Sequence, residues 1–437
     1  LAGGLSALLP ALRAVRLDLA KRLNATGRGL GDGIAGTNLR RALVVVEIAF
    51  TLLLMIGAGL LLKSLAGLQR VDPGFDPANV LTVQIELPEA RYKEEHQPAA
   101  FYAELYRRLA ALPGVQAAGG IFLLPLTGMN ATAGFKLEGE REPGKNEPKQ
   151  VASLRPVGPG YFQALGMKLL SGRTFTAGDD QRQRPVVVVN ETFAHRFSPG
   201  RDPLGRKVTF GVDFGTTGTI RKEPREIVGI VGAVRQSGLD KDPAPALYVP
   251  QLQTSWRSMT LVIRSSTPPR SLVPAVRRAV WSLDPDLPLS EIKTMEQWVA
   301  ESLGQTRFYT ASVAGVAALA LLLAIVGLYG VVAFSVGART REIGIRIALG
   351  AGRGQILRAV IREALLLLLA GTLIGLAAAP FFTRLLASLL YGVTATDRWI
   401  FYGAALVLAA VALAASYVPA RRATRLAPLA ALEQVSQ

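Results

Sequence analysis

The sequence predicts an α-helical membrane protein with four transmembrane helices and one large α+β extracytoplasmic domain. Three observations carry this. Phe308 to Ala338 is a block of 31 residues without a charge, longer than the roughly 20 that a helix needs to cross the hydrocarbon core. Six arginines follow it, Arg339, Arg341, Arg346, Arg353, Arg358 and Arg362, and short basic loops stay in the cytoplasm, which orients the chain. Residues 63–307 form 245 residues of mixed polar and apolar pattern, long enough for a folded unit of their own.

Composition agrees. Hydrophobic residues make up 50% of 437 positions, with a mean hydropathy of +0.31, which points to a membrane protein. The net charge of +17 sits largely beside apolar blocks, not in an aromatic-interleaved stripe, so nucleic-acid binding is not expected. There is no cysteine, so neither a disulfide framework nor a thiolate metal site is possible. His96 and His195 stand in no metal-ligand spacing, and no metal is expected.

Residues 1–41 read as a cytoplasmic connector, with seven positive charges from Pro10 to Arg41 and a glycine-rich linker from Gly27 to Gly36. Pro10-Ala11-Leu12-Arg13-Ala14-Val15-Arg16-Leu17 matches Pro419-Ala420-Arg421-Arg422-Ala423-Thr424-Arg425-Leu426 at six of eight positions. Basic, alanine-rich membrane exits can look alike. Duplication is the favoured reading, with residues 1–9 the tail of a spanning helix of a preceding copy.

Residues 42–62 form the first span. Glu47 lies about a turn and a half inside it; an intramembrane carboxylate is a functional candidate by default, but this depth also lets it reach headgroups or Arg40, the favoured reading. Gly57-Ala58-Gly59 with Lys63-Ser64 resembles a phosphate loop, yet Leu62 occupies the place of the required glycine. ATP chemistry therefore belongs to a partner.

In residues 63–307, Val80 to Leu87 alternates as a strand, Ala99 to Leu112 has helical spacing, and Val115 to Leu126 reads as a strand. Further strands are expected at Val186 to Asn190, Ile227 to Val231 and Met259 to Ile263. Helices are expected at Gly160 to Leu165, Glu191 to Phe197, Leu272 to Leu283 and Thr294 to Leu303. Glu138 to Lys149 and Gly211 to Glu223 read as loops. No catalytic site is expected: Glu94 and Glu95 do not face one another on a helix, Asp179, Asp180, Asp284 and Asp286 are loop carboxylates without evident basic partners, and no serine has a His-Asp set. The sequons at Asn130 and Asn190 are discounted.

The second span is 308–338, the cytoplasmic coupling segment 339–362 and the third span 363–384, in which Gly371 and Gly375 are small enough for close helix packing. An external loop at 385–398, a fourth span at 399–420 with Trp399, Tyr402 and Tyr417 near its ends, and a cytoplasmic tail at 421–437 complete the chain. Both termini are expected inside. In the coupling segment Ile343, Ile345, Ile347 and Leu349 alternate with small or basic residues; with Ala348 and a C-cap at Gly350, a short helix at the membrane face is favoured over a strand. On composition alone this stretch reads equally as a solvated basic loop.

Arg341-Glu342-Ile343-Gly344-Ile345-Arg346, followed by Ala348-Leu349-Gly350-Ala351, Ile356-Leu357-Arg358 and Arg362-Glu363-Ala364, resembles the coupling segment of MacB/FtsX-like ABC transporter permeases. Gly160-Tyr161-Phe162, Gly172-Arg173, Asp202-Pro203-Leu204-Gly205 and Ile227-Val228-Gly229-Ile230-Val231 resemble their extracytoplasmic domain, and Gly172, Gly205 and Gly229 have the ordinary reading of turn or close-packing glycines. The resemblance implies a MacB-like periplasmic core, with a split βαβ porter-like part and a small inserted α/β part. With the terminal repeat, it also implies the second half of a tandem permease of the duplicated, acidobacterial type. It implies further that Arg341, Glu342, Ile343, Gly344, Ile345, Arg346, Leu349 and Gly350 contact a separate ABC-type ATPase, which binds ATP and magnesium while this chain carries no cofactor and is not itself an enzyme. The expected function is export or extraction of a drug, peptide or lipoprotein at the bacterial inner membrane. A preceding copy or homodimer and a possible periplasmic adaptor would be partners. The alternative is an FtsX-like regulator that activates a cell-wall hydrolase.

Overall fold

The computed structural model describes residues 31–139, 150–215, 217–254, 256–340, 345 and 352–423. Two compact units emerge, residues 1–63 with 310–437 and residues 64–309.

The second unit is built on one sheet of twelve strands among the described residues, β1 Val80–Glu86, β2 Val115–Ile121, β3 Thr132–Gly134, β4 Lys136–Leu137, β5 Val151–Val157, β6 Leu169–Gly172, β7 Val186–Asn190, β8 Lys207–Asp213, β9 Thr219–Val231, β10 Ala246–Pro250, β11 Ser258–Ser265 and β12 Leu289–Thr294. The main path runs β12-β1-β11-β2-β5-β10-β7-β9-β8-β4, with β3 on β5 and β6 on β9. The first four strands pair antiparallel throughout. With helices His96–Ala110 after β1 and Val273–Trp281 after β11, they form two β-α-β units interleaved at the order expected of a split βαβ fold. Strands β3 to β10 are an insertion between those units, joined at β2–β5 by the single pair Ile121↔Val157.

Local chemistry explains the elements. β1 is almost wholly buried, and the helix His96–Ala110 buries Phe101, Tyr102, Leu105, Tyr106 and Leu109 on one face while Arg107 and Arg108 occupy its last turn, where positive charge suits the helix dipole. Asn190 caps the helix Glu191–Phe197: its Oδ1 accepts from the Phe193 N–H at 2.9 Å and from the Ala246 N–H at 2.9 Å. Being 1% exposed, this sequon asparagine is a structural tie. Thr294 and Gln297 form a capping box at the helix Met295–Ser302. At the β6–β9 pairing, a Cβ on Gly172 would lie 2.2 Å from the Val228 carbonyl oxygen and one on Gly229 2.1 Å from that of Arg173; the ladder closes there because neither residue has a side chain.

Two expectations are corrected. Gly211 to Glu223 is largely a hairpin, with Val212↔Ile220 and Asp213↔Thr219 in register; a bulge between Phe210 and Val212 breaks the alternation that would have revealed it. The loop carboxylates do have basic partners. Asp179 is held bidentately by Arg173, both contacts at 2.8 Å, Asp180 pairs with Arg182 at 2.6 Å, and Asp284 and Asp286 share Arg91. Glu95 pairs with Arg221 on the surface, and His96 and His195 are exposed.

Arg107 and Arg108 hold the Glu104 carboxyl at about 2, below its unfolded value. Its contribution is present above the unfolded pKa and is lost as pH falls through the folded one. Thermal midpoints of the wild type and Glu104→Gln should therefore differ near pH 6 and converge towards pH 2; a gap that widens on acidification would contradict the pairing.

The first unit contains four helices long and apolar enough to span a membrane among the described residues, α1 Gly31–Leu68, α7 Gly304–Ala338, α8 Arg353–Leu386 and α9 Arg398–Ala423, numbered after the five helices of the other unit. Half of the apolar window of α1 is buried, against 17–28% for the other three, so α1 is the axis on which they pack. Gly371 and Gly375 of α8 face Val45, Ile48, Ala49 and Leu52 of α1, as the small-residue reading expects. Gly59 meets Ile400 of α9, and Thr51 Oγ1 donates to the Ala320 carbonyl of α7 at 3.2 Å.

Candidate functional site

The sequence nominates the bend between α7 and α8. Arg341, Glu342, Ile343, Gly344, Arg346, Leu349 and Gly350 lie outside the described residues. Ile345 is helical and 51% exposed.

The structure does describe what holds the base of this bend. Glu363, at the polar end of α8, accepts from Arg41 of α1 through Oε1. Its Oε2 accepts from Ser335 Oγ of α7 at 2.9 Å and faces Arg339 Nη1 at 3.6 Å. One carboxylate thus links three spanning helices, with only 23% of its side chain exposed. Charge-assisted hydrogen bonds of this kind are the strong ones, and their strength grows where water is scarce. Immediately beside it, the Arg40 guanidinium lies 4.5 Å over the Phe334 ring, a cation–π contact that again joins α1 to α7.

In the sequence Glu363 reads as the edge of an apolar block and as part of the Arg362-Glu363-Ala364 string, and neither reveals this clamp. The available signal was a carboxylate, a serine and two arginines recurring at the same depth of three blocks. Of the two partners expected for Glu47, headgroups or Arg40, the second is corrected: Arg40 lies over Phe334, and Glu47 leans on Gly327 of α7, where an added Cβ would sit 2.6 Å from Glu47 Oε2. At the opposite end of the unit Lys63 pairs with Asp397, whose Oδ1 also accepts from the Trp399 N–H at 3.1 Å and so caps α9. Both ends of α1 are therefore fastened by ion pairs to other spans.

Among the described residues no group of three histidines, aspartates or glutamates is placed to hold a metal ion.

Two family models match the sequence: the MacB-like periplasmic core domain over residues 43–282 and the FtsX-like permease C-terminal over residues 314–428. The macrolide export ATP-binding/permease protein MacB of Neisseria gonorrhoeae is 27% identical over 300 residues, covering 65% of this chain and 44% of that protein. The uncharacterized ABC transporter permease YknZ of Bacillus subtilis is 27% identical over 296 residues, covering 66% of this chain and 71% of that one. The crystal structure of the periplasmic region of MacB from Actinobacillus actinomycetemcomitans superposes with a TM-score of 0.33 at 17% identity, over 51% of this chain and 92% of that one. The chain thus spans less than half the length of the Neisseria protein. With the first family model matching more than half of the chain and the second covering most of its C-terminal helices, the chain belongs to the MacB/FtsX-like family of ABC transporter permeases.

Proposed function

We propose that this chain is the membrane subunit of an ABC exporter in the bacterial inner membrane, and that it transmits force from a separate ATPase to an external domain. In this reading both termini and the bend at 339–362 are cytoplasmic, residues 64–309 are periplasmic, and ATP with magnesium is bound and hydrolysed by the partner. The chain itself performs no catalysis. Its cargo would be a macrolide, peptide or lipoprotein, moved with a second permease copy, either the preceding half of a tandem or a homodimer, and a periplasmic adaptor.

The observation that supports this best is the Glu363 clamp. Arg339 and Ser335 stand where α7 enters the bend, and Glu363 stands where the bend's second arm joins the apolar part of α8. A displacement of the bend therefore acts on α7, α8 and, through Arg41, on α1 together. Coupling over such distances requires a packed element with discrete arrangements, and helices fastened by one shared carboxylate can move as a set.

The charged pair Glu342 and Arg346 would meet the ATPase, with Ile343 and Ile345 filling a groove on it. Reversing both charges, Glu342→Arg with Arg346→Glu, is expected to weaken complex formation at least tenfold and to abolish stimulation of ATP hydrolysis. Co-purification and ATPase assays in reconstituted membranes read both. Unchanged stimulation would overturn the assignment.

A further inference from the structure

Arg155 lies in β5, in the inserted half of the sheet, and is wholly buried. Buried arginines ordinarily face a carboxylate. Arg225, the other fully buried arginine, follows that rule through Glu223 at 2.5 Å. Arg155 does not: among the described residues its partners are the Leu154 carbonyl, reached by Nη1 at 3.2 Å, and the amide oxygen of Asn130, reached by Nη2 at 2.6 Å. Both are neutral. Its Nε–H has no acceptor, and the buried hydroxyl of Tyr161 has no partner either.

The arrangement is directional. Nε–H and one Nη2–H point the same way from a guanidinium and form the edge that takes a carboxylate with two parallel bonds. Here one member of that edge is unused, and the other is bound to an amide oxygen belonging to an exposed residue, Asn130. Tyr248 lies beside Arg155 in the parallel β10–β5 register, and burial lowers the proton affinity of the guanidinium. The segment leading to Asn130 holds Leu126 at φ +68° and Gly128 at φ +75°. A leucine in the left-handed region is strained. It is kept there by its N–H bond to the Gln236 carbonyl at 2.8 Å.

We propose that Arg155 is the recognition group of an anion site that takes a single carboxylate, free or at the C-terminus of a peptide, which displaces Asn130 and engages Nε and Nη2 together. The exchange replaces a neutral acceptor with a charged one on a desolvated cation, the setting in which a charge-assisted pair gains most.

The test uses the full chain in detergent, reading its thermal midpoint with sodium acetate, with sodium chloride at equal ionic strength, and with trialanine carrying a free or an amidated C-terminus. Acetate and free trialanine should raise the midpoint by about 3 °C, with chloride and the amidated peptide without effect. A larger response to free trialanine than to acetate identifies a peptide terminus as the ligand, and an equal response identifies a small free carboxylate. Asn130→Asp places a carboxylate on the same edge without disturbing a buried residue; it should start about 3 °C above the wild type and no longer respond to acetate. A wild-type midpoint indifferent to acetate, an equal response to chloride, or an Asn130→Asp variant that keeps the acetate response would each overturn the proposal.

Discussion

Gly371→Leu is expected to abolish the folded membrane unit. An added Cβ at this position would lie 2.5 Å from Ile48 Cγ2, 2.7 Å from Ile48 Cβ and 2.9 Å from the Val45 carbonyl oxygen. Part of that contact is backbone and cannot swing aside. Overpacking by even a few methylenes costs about 1–3 kcal/mol, and here the helix that must shift is α1, on which the other three spans rest. The matched control is Gly330→Leu, since nothing lies within 4 Å of a Cβ added at Gly330. Yield and monodispersity on size exclusion should collapse for the first variant and hold for the second. Equal behaviour would contradict the close α1–α8 contact.

The second large effect is expected from Glu363. Glu363→Gln keeps the size of the side chain but removes the charge that Arg41, Ser335 and Arg339 share. Hydrogen bonds to charged groups are worth about 1.5–3 kcal/mol each, with an added cost for a partner left unpaired. A double-mutant cycle with Arg41→Met should therefore return a coupling energy of about 2 kcal/mol in thermal or denaturant unfolding. In the proposed function the same variant should still bind the ATPase, because residues 341–350 are unchanged, while transport per ATP hydrolysed falls at least tenfold. Additive single effects would show that α1 and α8 are not tied at this point.

How much of this was legible depended on whether the signal was local. Strands with uninterrupted apolar runs, such as Val186–Asn190, and helices with a clean spacing, such as Glu191–Phe197, stand in the structure where the pattern placed them. β5 and β10 went unread, because Arg155 and Pro156 break one run and Pro250 closes the other after five residues; both are short strands buried by their neighbours. β12 carries Ser290, Glu291 and Lys293 and is held at the sheet's edge by pairing to β1, more than two hundred residues earlier in the chain. No local pattern reports such a pairing. The same holds for the functional side chains: the arginines of the bend are conspicuous as a cluster, whereas Glu363 and Arg155 acquire meaning only from residues that the fold brings to them.

In the proposed function the bend and residues 64–309 lie on opposite sides of the membrane. Because the chain has no cysteine, single cysteines can be placed without a background. Ile345→Cys and Arg201→Cys, both at exposed positions, should be treated with a membrane-impermeant maleimide in intact spheroplasts. Arg201→Cys should react at once and Ile345→Cys only after the membrane is permeabilised; labelling of both from the same side would contradict this topology.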